Sequence, residues 1–546
     1  MQSFNSDLFL ILWVICFVLT RVGLSKMFKA AGQSPYLAWI PILSWWYWIK
    51  IVDRPKWYML GMVIPGVNIL FSFNITLDLL RSFGRYGYWE QLLGTVFSFI
   101  YFPILAFKPM KFYGPAGNRT WKEANVPKHD GLREWGDAIL FAAYVAGGMR
   151  ALYFDLYQIP TPSMESNLMV GDYLVVSRAK IGMRIPMTPI TVPVLAPKQI
   201  MGFKAYTDLV ELPYMRLPGW YTIKNNDIIV FNWPTDDDAD ADGLSDYEQT
   251  AEGVKLRLPA DKKDNYVKRC VGIPGDRIKL QGGQIYINGQ LLPRVGKQQK
   301  RYLALLKTPI TEDFLEQNEL GDFNFPPNAK QIQDAAQKTG KYIIPYHLFT
   351  WPENFEKIKN HPEVMSIFLD SIDEGYQRVM FPGNVRFNGQ LLDNHADTSL
   401  FEFAHPKWNI NNYGEVRLPR RGESIPLTAQ NWDFLKLAIN KYEHANIVQR
   451  GGKFWADGGS GAEVKSYTFK MGYYWMIGDN RYNSLDSRFW GYVPEDHIVG
   501  KPLFTFFSLK KVMAIDPETN QPLTNNGNME YKVKGIRWSK IFSWIE

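Results

Sequence analysis

Residues 265–292, "NYVKRCVGIPGDRIKLQGGQIYINGQLL", decide the fold class of the C-terminal part of the chain. Short alternating or continuous apolar runs fill this segment, and Gly, Pro and Asn separate them. Such runs with such punctuation are typical of antiparallel β-strands joined by tight turns. Asn288 and Gly289 stand between two apolar runs, which is a strong signal for a β-hairpin. The segment therefore predicts a mainly β structure.

The same pattern recurs through most of the chain after Ser163. Further examples are "DYLVVSR" at 172–178, "DIIVFNW" at 227–233, "VRFNGQLL" at 385–392 and "KSYTFKMGYYWMIGD" at 465–479. Residues 295–463 also contain polar, helical stretches such as "AKQIQDAAQK". Because strand-rich sequence resumes after them, we expect an antiparallel β domain that carries an inserted α+β subdomain.

Four apolar segments near the N-terminus predict membrane-spanning helices. A helix of about 20 residues crosses the hydrocarbon core of a bilayer. The predicted spans are residues 8–24, 57–77, 92–107 and 138–154. The first lacks a small-residue cleavage site and precedes further spans, so it predicts an anchor rather than a removable signal peptide. The Trp-rich residues 35–50, broken by Pro41, favour an interfacial or re-entrant segment, which leaves the count at four or five.

Charge predicts the orientation of these spans. Basic residues concentrate in residues 24–56 and 108–134, and positively charged loops tend to stay in the cytoplasm. Everything after Tyr157 is then expected on the outer side of the membrane, whichever span count holds. Residues 8–110 also resemble a small bacterial membrane module of unknown function, through stretches such as "RPKWY", "IPGVNI" and "DLLRSFG".

Composition narrows the class of protein further. The chain has 546 residues, and 46% of them are hydrophobic. The net charge of +7 is modest for this length and no Lys/Arg block stands out, so nucleic-acid binding is not predicted. The two cysteines, Cys16 and Cys270, suggest neither a metal cluster nor a structural disulfide, and no cofactor is expected.

One acidic loop leaves two readings open. "DDDADADGLSDYEQ", residues 236–249, resembles an EF-hand calcium loop, with acidic residues at positions 1, 3, 5 and 9 and glycine at position 6. The residues at those positions are Asp238, Asp240, Asp242, Asp246 and Gly243. The last ligand position holds Gln249 instead of glutamate. A solvated acidic loop is the favoured interpretation of the stretch, and no metal site is assigned.

Ser163 is the candidate nucleophile, and its base has to be found elsewhere in the chain. A serine nucleophile needs a neighbouring base to take its proton. Most of the seven histidines lie in the polar insertion, and nothing in the sequence marks His497 as a base. Lys268, in contrast, shares one face of a predicted strand with Tyr266 and Cys270, where there is little charge. Burial there would lower the lysine pKa and leave a neutral amine near pH 7.

Four separated stretches resemble the sequence boxes of bacterial type I signal peptidases, in the order of that family. They are "QIPTPSMESNLMVGDYLVVSR", "NNDIIVFNWP", "YVKRCVGIPGDRI" and "GDNRYNSLDSRFWGYVPEDHIVG". The resemblance implies a signal-peptidase-like antiparallel β fold. It also implies a membrane-bound serine endopeptidase that removes signal peptides through a Ser/Lys dyad and an acyl-enzyme.

The same resemblance implies a role for each matched residue. Ser163 would be the nucleophile and Lys268 the general base, while the Ser163 N–H and the Thr161 hydroxyl would form the oxyanion hole. Ser484 would orient the lysine, Asp486 and Arg488 would form a structural ion pair, and Gly478 would permit a tight turn. Tyr482 and Leu485 replace the Asp and Ala that are commoner at those places, and little effect is expected from either. Positions that match the lining of the substrate pockets are Tyr157, Ile159, Pro160, Met164 and Val267.

Partners and location follow from the resemblance as well. The expected partners are exported preproteins with signal peptides and the lipid bilayer, with the secretion translocon as a further candidate. The expected location is the bacterial cytoplasmic (inner) membrane, with several spans and the catalytic domain on the periplasmic face. The predicted domains are a multi-span module at 1–110, a cytoplasmic basic linker at 111–134, an anchor helix at 135–157, a catalytic β domain at 158–294 and 464–546, and the inserted subdomain at 295–463.

Two alternatives remain at this level. A self-cleaving repressor-type Ser/Lys protease would lack membrane spans and the final "GDNR…DSR" stretch, so it is disfavoured. A membrane scaffold whose signal-peptidase-like domain is catalytically unused would keep every motif, and only an activity measurement separates it from the enzyme.

Overall fold

A computed structural model of the chain divides into two units. One comprises Met1–Asp155 and Met183–Leu217, and the other comprises Leu156–Gly182 and Pro218–Glu546. The structure describes residues 2–64, 67–127, 131–165, 167–188, 199–200, 203–204, 206–207, 211–234, 247–249, 255–257, 259–293, 299–326, 329–338, 340, 342–370, 386–387, 390–391, 410–516, 521–525 and 528–545.

The first unit is helical, as its apolar sequence predicts. Its helices are Gln2–Ala30, Pro35–Trp39 (a 3-10 helix), Pro41–Val52, Tyr58–Val63, Val67–Ser82, Tyr88–Val96, Ser98–Ala106, Arg119–Asn125 and Gly131–Leu152. Leu24, Phe28 and Leu79 are fully buried in its core. A Cβ on Gly23 would lie 2.3 Å from the backbone of Phe102, so glycine lets two of these helices approach closely.

Two predicted spans are not continuous helices. Residues 57–77 contain the end of one helix, at Val63, and the start of the next, at Val67. Pro65 and Gly66 stand between them in the sequence, and both residues disfavour an uninterrupted helix. Residues 92–107 are interrupted at Phe97, whose φ of −119° and ψ of 44° are not helical.

Within the described residues, no single helix is both long and apolar enough to cross a membrane. The bent pair Tyr88–Val96 and Ser98–Ala106 passes that test together, by length and composition, with a bend of 116° between its halves. The fourth predicted span, 138–154, overruns its helix, which ends at Leu152 before a strand begins at Phe154.

The second unit contains a nine-stranded sheet, which confirms the mainly β prediction. Seven of its strands follow one another in the spatial order Phe154–Gln158, Asp172–Ser177, Ile498–Met513, Ile228–Asn232, Asn265–Gly272, Tyr473–Ile477 and Val493–Pro494. The other two, Tyr531–Ile536 and Ser543–Trp544, also pair with the long strand Ile498–Met513. Asn265–Gly272 has a partner on each edge, so the segment that carries Lys268 is central to the sheet.

A second sheet contains the predicted hairpin. Its strands are Gln290–Leu291, Gln284–Ile287, Arg277–Gln281 and Tyr413–Arg417. Ile287 pairs with Gln290, and the two residues between them, Asn288 and Gly289, have φ of 52° and 81°. Positive φ at both positions is the geometry that an Asn-Gly hairpin turn requires. The strands Arg386–Phe387 and Gln390–Leu391, around the other Asn-Gly dipeptide, also pair.

The residues predicted as an insertion form strands as well as helices. The strands Phe323–Asn324, Ile344–Thr350, Lys300–Leu306 and Val364–Leu369 make a four-stranded sheet, with helices Glu312–Gln317, Ala329–Lys338 and Pro352–Lys359. Residues further along belong to another core, because Tyr413, Trp432 and Phe454 pack in one cluster with Ile278 and Trp475. The predicted boundary at residue 463 therefore does not separate two hydrophobic cores.

Short elements complete the second unit. Its two-stranded pairs are Ser424–Pro426 with Ser466–Thr468, Val448–Arg450 with Lys453–Trp455, Thr524–Asn525 with Asn528–Met529, and Tyr247–Gln249 with Lys255–Arg257. Its short helical segments are Pro162–Met164, Ala260–Lys262, Ala429–Lys436, Leu437–Tyr442, Asp457–Gly459, Ser487–Trp490, Glu495–His497 and Trp538–Lys540. In the first unit Gln199–Ile200 pairs with Phe203–Lys204.

Candidate active site

Ser163 lies in a single 3-10 turn, Pro162–Met164, that follows the first strand of the nine-stranded sheet. Pro162 occupies the first position of the turn, where its fixed φ suits helical geometry. The turn is held at its base, because Ile159 donates its N–H to the carbonyl of Asp172 at 2.8 Å and Gly171 donates to the carbonyl of Ile159 at 3.0 Å. Ser163 is buried, with 9% of its surface exposed.

Lys268 reaches the same place from the centre of the sheet. Its Nζ lies 2.5 Å from the Oγ of Ser163, although 105 residues separate the two in the chain. Lys268 is only 3% exposed, and its Nζ stands 5.8 Å from the centre of the Tyr266 ring. The predicted strand face that Lys268 shares with Tyr266 is therefore present.

The environment of Lys268 favours its neutral form. Burial lowers the lysine pKa from 10.5 to about 8, while the carboxylates of Asp486 and Asp479 partly oppose this shift. A substantial fraction of the amine is then neutral slightly above neutral pH. A neutral amine in contact with a hydroxyl can accept its proton, which is the requirement for nucleophilic attack by serine.

A turn at residues 478–480 holds the backbone of Ser163. Asn480 donates its backbone N–H to the carbonyl of Ser163 at 3.2 Å, and its side-chain amide donates to the carbonyl of Pro162 at 3.3 Å. Two bonds from one residue thus fix the carbonyl side of the turn that carries Ser163.

The same turn is anchored by a buried ion pair. Two nitrogens of the Arg269 guanidinium group, Nε and Nη2, donate to the carboxylate of Asp479 at 2.8 Å, and the side chains are 2% and 0% exposed. Asn167 also donates to Asp479, at 2.6 Å. Because Arg269 directly follows Lys268, this pair ties the strand of Lys268 to the turn that contacts Ser163.

Gly478 allows this close approach. A Cβ at this position would lie 2.2 Å from the Oγ of Ser484 and 2.6 Å from the carbonyl oxygen of Ser163. Contacts below 3.0 Å cannot be accommodated without movement of the neighbours. Glycine is therefore required sterically where the end of the strand Tyr473–Ile477 meets the turn of Ser163.

Asp486 and Arg488 form a second buried pair in this region. Arg488 donates from Nε and Nη2 to the two carboxylate oxygens of Asp486, each at 2.8 Å. Burial alone would raise the Asp486 pKa, but the charge and hydrogen bonds of Arg488 and the Gly478 N–H give a net lowering. Asp486 is thus an anion near Lys268, and its charge acts on the lysine pKa.

Comparison with known proteins places these residues in a family. The model of the family "Signal peptidase, peptidase S26" matches residues 132–356 and 437–507, which is more than half of the chain. Both matched ranges contain site residues, the first Ser163 and Lys268 and the second residues 478–488. The chain belongs to the signal peptidase family, peptidase S26.

Individual signal peptidases match to different extents. Signal peptidase I of Aquifex aeolicus is 46% identical over 70 residues, 13% of this chain and 27% of that protein. Signal peptidase I of Helicobacter pylori (strain J99) is 45% identical over 75 residues, 13% of this chain and 23% of that protein. Signal peptidase I of Haemophilus influenzae is 23% identical over 368 residues, 66% of both chains. The chain thus spans about a quarter of the first two relatives.

A second match concerns the helical unit. Residues 36–115 match a family of unknown function (DUF5684). This match attaches no activity to the N-terminal helices of this signal peptidase family member.

The remaining predicted residues surround Ser163. The Oγ1 of Thr161 lies 3.5 Å from the Oγ of Ser163. Among the predicted pocket residues, Ile159 and Met164 are buried in an apolar cluster against which Tyr157 and Val267 pack. Pro160 is exposed. Ser484 is buried, and its hydroxyl acts on Asp486, where it helps to lower the pKa of that carboxyl group. Within the described residues, no hydrogen bond joins Ser484 to Lys268.

Two further sequence features contribute no residue to this candidate site. His497 contacts Asp496, with 2.6 Å between Nδ1 and Oδ1, and its ring lies against Tyr442. In the part of the chain that the structure describes, no group of three or more His, Cys, Asp or Glu could hold a metal ion. The acidic loop at 238–246 lies outside the described residues.

Sequence reasoning missed two contributors. It assigned no role to Arg269, and it gave Asn480 no bond to Ser163. A signal for the first is present in the sequence, since an arginine that a predicted strand buries needs an acidic partner. No local pattern identifies the second, because the bond joins backbone atoms that are 317 residues apart.

Proposed function

We propose that this protein is a membrane-bound serine endopeptidase that cleaves N-terminal signal peptides from exported preproteins. The observation that carries the proposal is the 2.5 Å contact between the Oγ of Ser163 and the Nζ of Lys268, both buried. Membership of the peptidase S26 family and the names of the matched relatives support it.

The proposed reaction passes through an acyl-enzyme. Neutral Lys268 takes the proton of the Ser163 hydroxyl as Oγ attacks the carbonyl carbon of the scissile peptide bond. The ammonium of Lys268 gives this proton to the leaving amine as the C–N bond breaks, which leaves an ester on Ser163. Lys268 then takes a proton from water, the resulting hydroxide attacks the ester, and the returned proton restores the Ser163 hydroxyl.

Charge develops on the substrate carbonyl oxygen during both steps. The backbone N–H of Ser163 and the hydroxyl of Thr161 are the donors that we assign to this oxygen. Thr161 is suitably near, because its Oγ1 lies 3.5 Å from the nucleophilic Oγ. Loss of one such donor costs about 2.7–4 kcal/mol of transition-state stabilisation in other serine proteases. Ser484, beside Gly478, remains the residue that we assign to orienting the amine of Lys268.

Substrate recognition is proposed to use the apolar side chains near Ser163. Ile159 and Met164, with Tyr157 and Val267 packed against them, can form shallow apolar surfaces that admit only small side chains. Small residues at the cleavage site are typical of signal peptides. A preprotein held in the same bilayer would also meet the enzyme at raised effective concentration.

We place the catalytic unit on the outer face of the bacterial inner membrane. Ser163 follows Phe154 by nine residues, and a chain extends at most about 3.3–3.6 Å per residue, so an anchor before Phe154 keeps the nucleophile near the bilayer. The basic segments 24–56 and 108–134 support a cytoplasmic position for the loops between the N-terminal helices. The translocon is a reasonable partner because it delivers signal peptides to this face.

Purified full-length protein in detergent, incubated with a preprotein, tests the proposal. We expect one cleavage site after a small residue, located by N-terminal sequencing of the product, and no product from Ser163→Ala. Ser460→Ala, at an exposed serine in the same unit, is the matched control and should retain activity. Equal absence of cleavage by wild type and Ser163→Ala would instead favour the scaffold alternative.

A further inference from the structure

Two buried carboxyl groups whose charges interact lie beside the turn that carries the nucleophile. Glu165, two residues after Ser163, is 2% exposed, and Asp322, in the inserted residues, is 3% exposed. Within the described residues, one oxygen of each carboxyl group, Oε2 of Glu165 and Oδ1 of Asp322, has no hydrogen-bond partner. A buried carboxylate oxygen without a donor is costly, and a bound proton removes that cost.

The insertion touches Glu165 directly. A Cβ on Gly321 would lie 1.9 Å from the carboxylate oxygens of Glu165, so Glu165 rests against the backbone of Gly321. Gly321 has no unusual backbone angle to explain it, since its φ is outside the left-handed region. The glycine therefore serves the contact with Glu165.

Two further contacts join the insertion to the turn that follows Gly478. Asn483 donates its side-chain amide to Oδ2 of Asp322. Gln299 forms a parallel backbone bridge with Asn480, the residue that donates to the carbonyl of Ser163. The carboxyl pair thus lies where the nucleophile turn, the insertion and the turn at 478–483 come together.

The surrounding charges do not neutralise the pair by direct contact. The charges of Arg537 and Lys540 act on Glu165, but both cations face Asp172, at 3.7 and 2.8 Å. The hydroxyl of Tyr531 also faces the pair, and burial followed by the two carboxyl groups raises its pKa. Gln299 and Asn483 contribute neutral amides only.

The proton affinity of the pair is raised accordingly. Burial, followed by the charge of Asp322, raises the pKa of Glu165 to about 8, and burial raises the pKa of Asp322 to about 7. Two interacting carboxyl groups titrate as a unit, and the first proton that they bind is held more tightly than either group alone would hold it.

We propose that Glu165 and Asp322 hold a proton between them and thereby keep the inserted residues docked on the nucleophile turn, so that Asp322 is a positioning residue for Ser163. The proposal rests on the proposed function, because the position of Ser163 matters for peptide cleavage. Loss of the last shared proton places two negative charges in one buried site. Their repulsion would separate Gly321 from Glu165 and shift the turn that carries Ser163.

Activity against pH gives the first test. Ionisation of the pair should make kcat of the wild type fall above about pH 8.5, while Asp322→Asn, which has the same shape but cannot ionise, keeps rising or stays level. The quantity to compare is the ratio of kcat at pH 9.5 to kcat at pH 8, measured for each protein. We expect this ratio to be about tenfold larger for Asp322→Asn than for the wild type, with KM nearly unchanged. Superimposable pH profiles would overturn the positioning role.

Two other variants separate positioning from general destabilisation. Asp322→Ala should lower kcat about 10- to 100-fold at pH 8, with little change in KM, because a displaced nucleophile weakens the chemical step. Glu319→Gln, an exposed residue in the same loop, is the matched control and should follow the wild type at every pH. An equal loss in Asp322→Ala and Asp322→Asn would contradict a role for the proton.

Thermal unfolding of the full-length protein tests the proton without any assay of cleavage. Unfolded carboxyl groups titrate near pH 4, so between pH 5 and 8 this pair holds more protons in the folded wild type than in the unfolded chain. The contribution of the pair to stability therefore falls as pH rises. In the double variant Glu165→Gln/Asp322→Asn this loss is absent, and its Tm relative to wild type should climb steadily from pH 5 to pH 8. A constant difference would overturn the proposal even if the protein cleaves preproteins. A climbing difference in a protein without activity would instead count against the proposed function alone.

Discussion

A lysine amine ordinarily carries a proton at neutral pH, and Lys268 departs from this because the centre of a sheet buries it beside Ser163. Burial lowers the pKa of Lys268 to about 8 against the opposing charges of Asp486 and Asp479. Those carboxylates are themselves paired, with Arg488 and Arg269. Their arginines moderate the local negative charge, which would otherwise hold the lysine in its protonated form.

The pKa of Lys268 sets the acid side of the pH profile. Below about pH 8 the amine is mostly protonated and cannot take the proton of Ser163, so kcat/KM for preprotein cleavage should rise as pH increases through about 8. Lys268→Arg keeps a permanent positive charge and should lose at least about 100-fold in kcat/KM. Lys279 lies at an exposed position of the next strand along the chain, Arg277–Gln281, and Lys279→Arg should behave as wild type. Appreciable activity of Lys268→Arg would refute the assignment of the base.

Gly478 offers a steric test at the same scale. Its replacement by alanine puts a methyl group 2.2 Å from the Oγ of Ser484 and 2.6 Å from the carbonyl of Ser163. We expect a loss of about 1–3 kcal/mol in the free energy of unfolding and at least about a tenfold loss of kcat. Gly131→Ala is the control, since a Cβ at Gly131 meets nothing within 4 Å. Normal cleavage by Gly478→Ala would show that the turn tolerates displacement.

At the scale of secondary-structure elements, the strand Asn265–Gly272 and the turn at residues 478–480 depend on one buried contact. Arg269 and Asp479 are 2% and 0% exposed and are joined by two hydrogen bonds of 2.8 Å. A buried pair that loses one partner leaves an uncompensated charge in the interior. This contact, unlike an exposed pair, therefore determines whether strand and turn stay together.

Replacement of Arg269 by alanine should destabilise the protein by about 3–5 kcal/mol, because Asp479 is then buried without its cation. Urea unfolding of the full-length chain measures this change. Arg277→Ala, which removes the exposed pair with Glu415, should cost no more than about 1 kcal/mol. Similar losses for the two variants would mean that water or another group compensates Asp479.

Sequence patterns predicted those elements whose signal is local. The Asn-Gly turn at Asn288 and Gly289 and the strand of Lys268 follow from periodicity and turn chemistry within a few residues. The break at Phe97 was not predicted, because hydropathy reports composition and an uninterrupted apolar run does not reveal a bend. The insertion was predicted as an α+β subdomain, but the order of its four strands was not, because that order depends on pairing between distant segments such as Lys300–Leu306 and Val364–Leu369.

In the candidate site, too, residues with a local sequence signal were predicted and contacts between distant residues were not. Ser163 and Lys268 were predicted from sequence because their chemistry requires a nucleophile near a buried base, and their boxes resemble those of a family. The contact between Gly321 and Glu165 was not predictable, since nothing near residue 321 indicates that a carboxyl group packs there. Contacts between the insertion and the catalytic turns are decided by tertiary packing and carry no local signature.

At the scale of the whole molecule, a helical unit that matches a family of unknown function precedes the unit that carries Ser163. If the helices are membrane-embedded, the charges between them decide on which side the catalytic unit stands. Basic residues are concentrated in residues 108–134, which run into the first turn of the helix Gly131–Leu152 that leads to the catalytic unit. We therefore expect these two regions on opposite sides of the membrane.

Cysteine labelling in intact cells tests this orientation. In a Cys16→Ser background, where Cys270 is buried, Ser460→Cys and Lys111→Cys each place one thiol at an exposed position. A maleimide that crosses the outer membrane but not the inner one should label Ser460→Cys, and should label Lys111→Cys only after the inner membrane is permeabilised. Labelling of Lys111→Cys in intact cells would contradict the predicted topology. Absence of label at Ser460→Cys before permeabilisation would place the catalytic unit in the cytoplasm, where it could not meet an exported preprotein at the outer face, and the proposed function would fail with it.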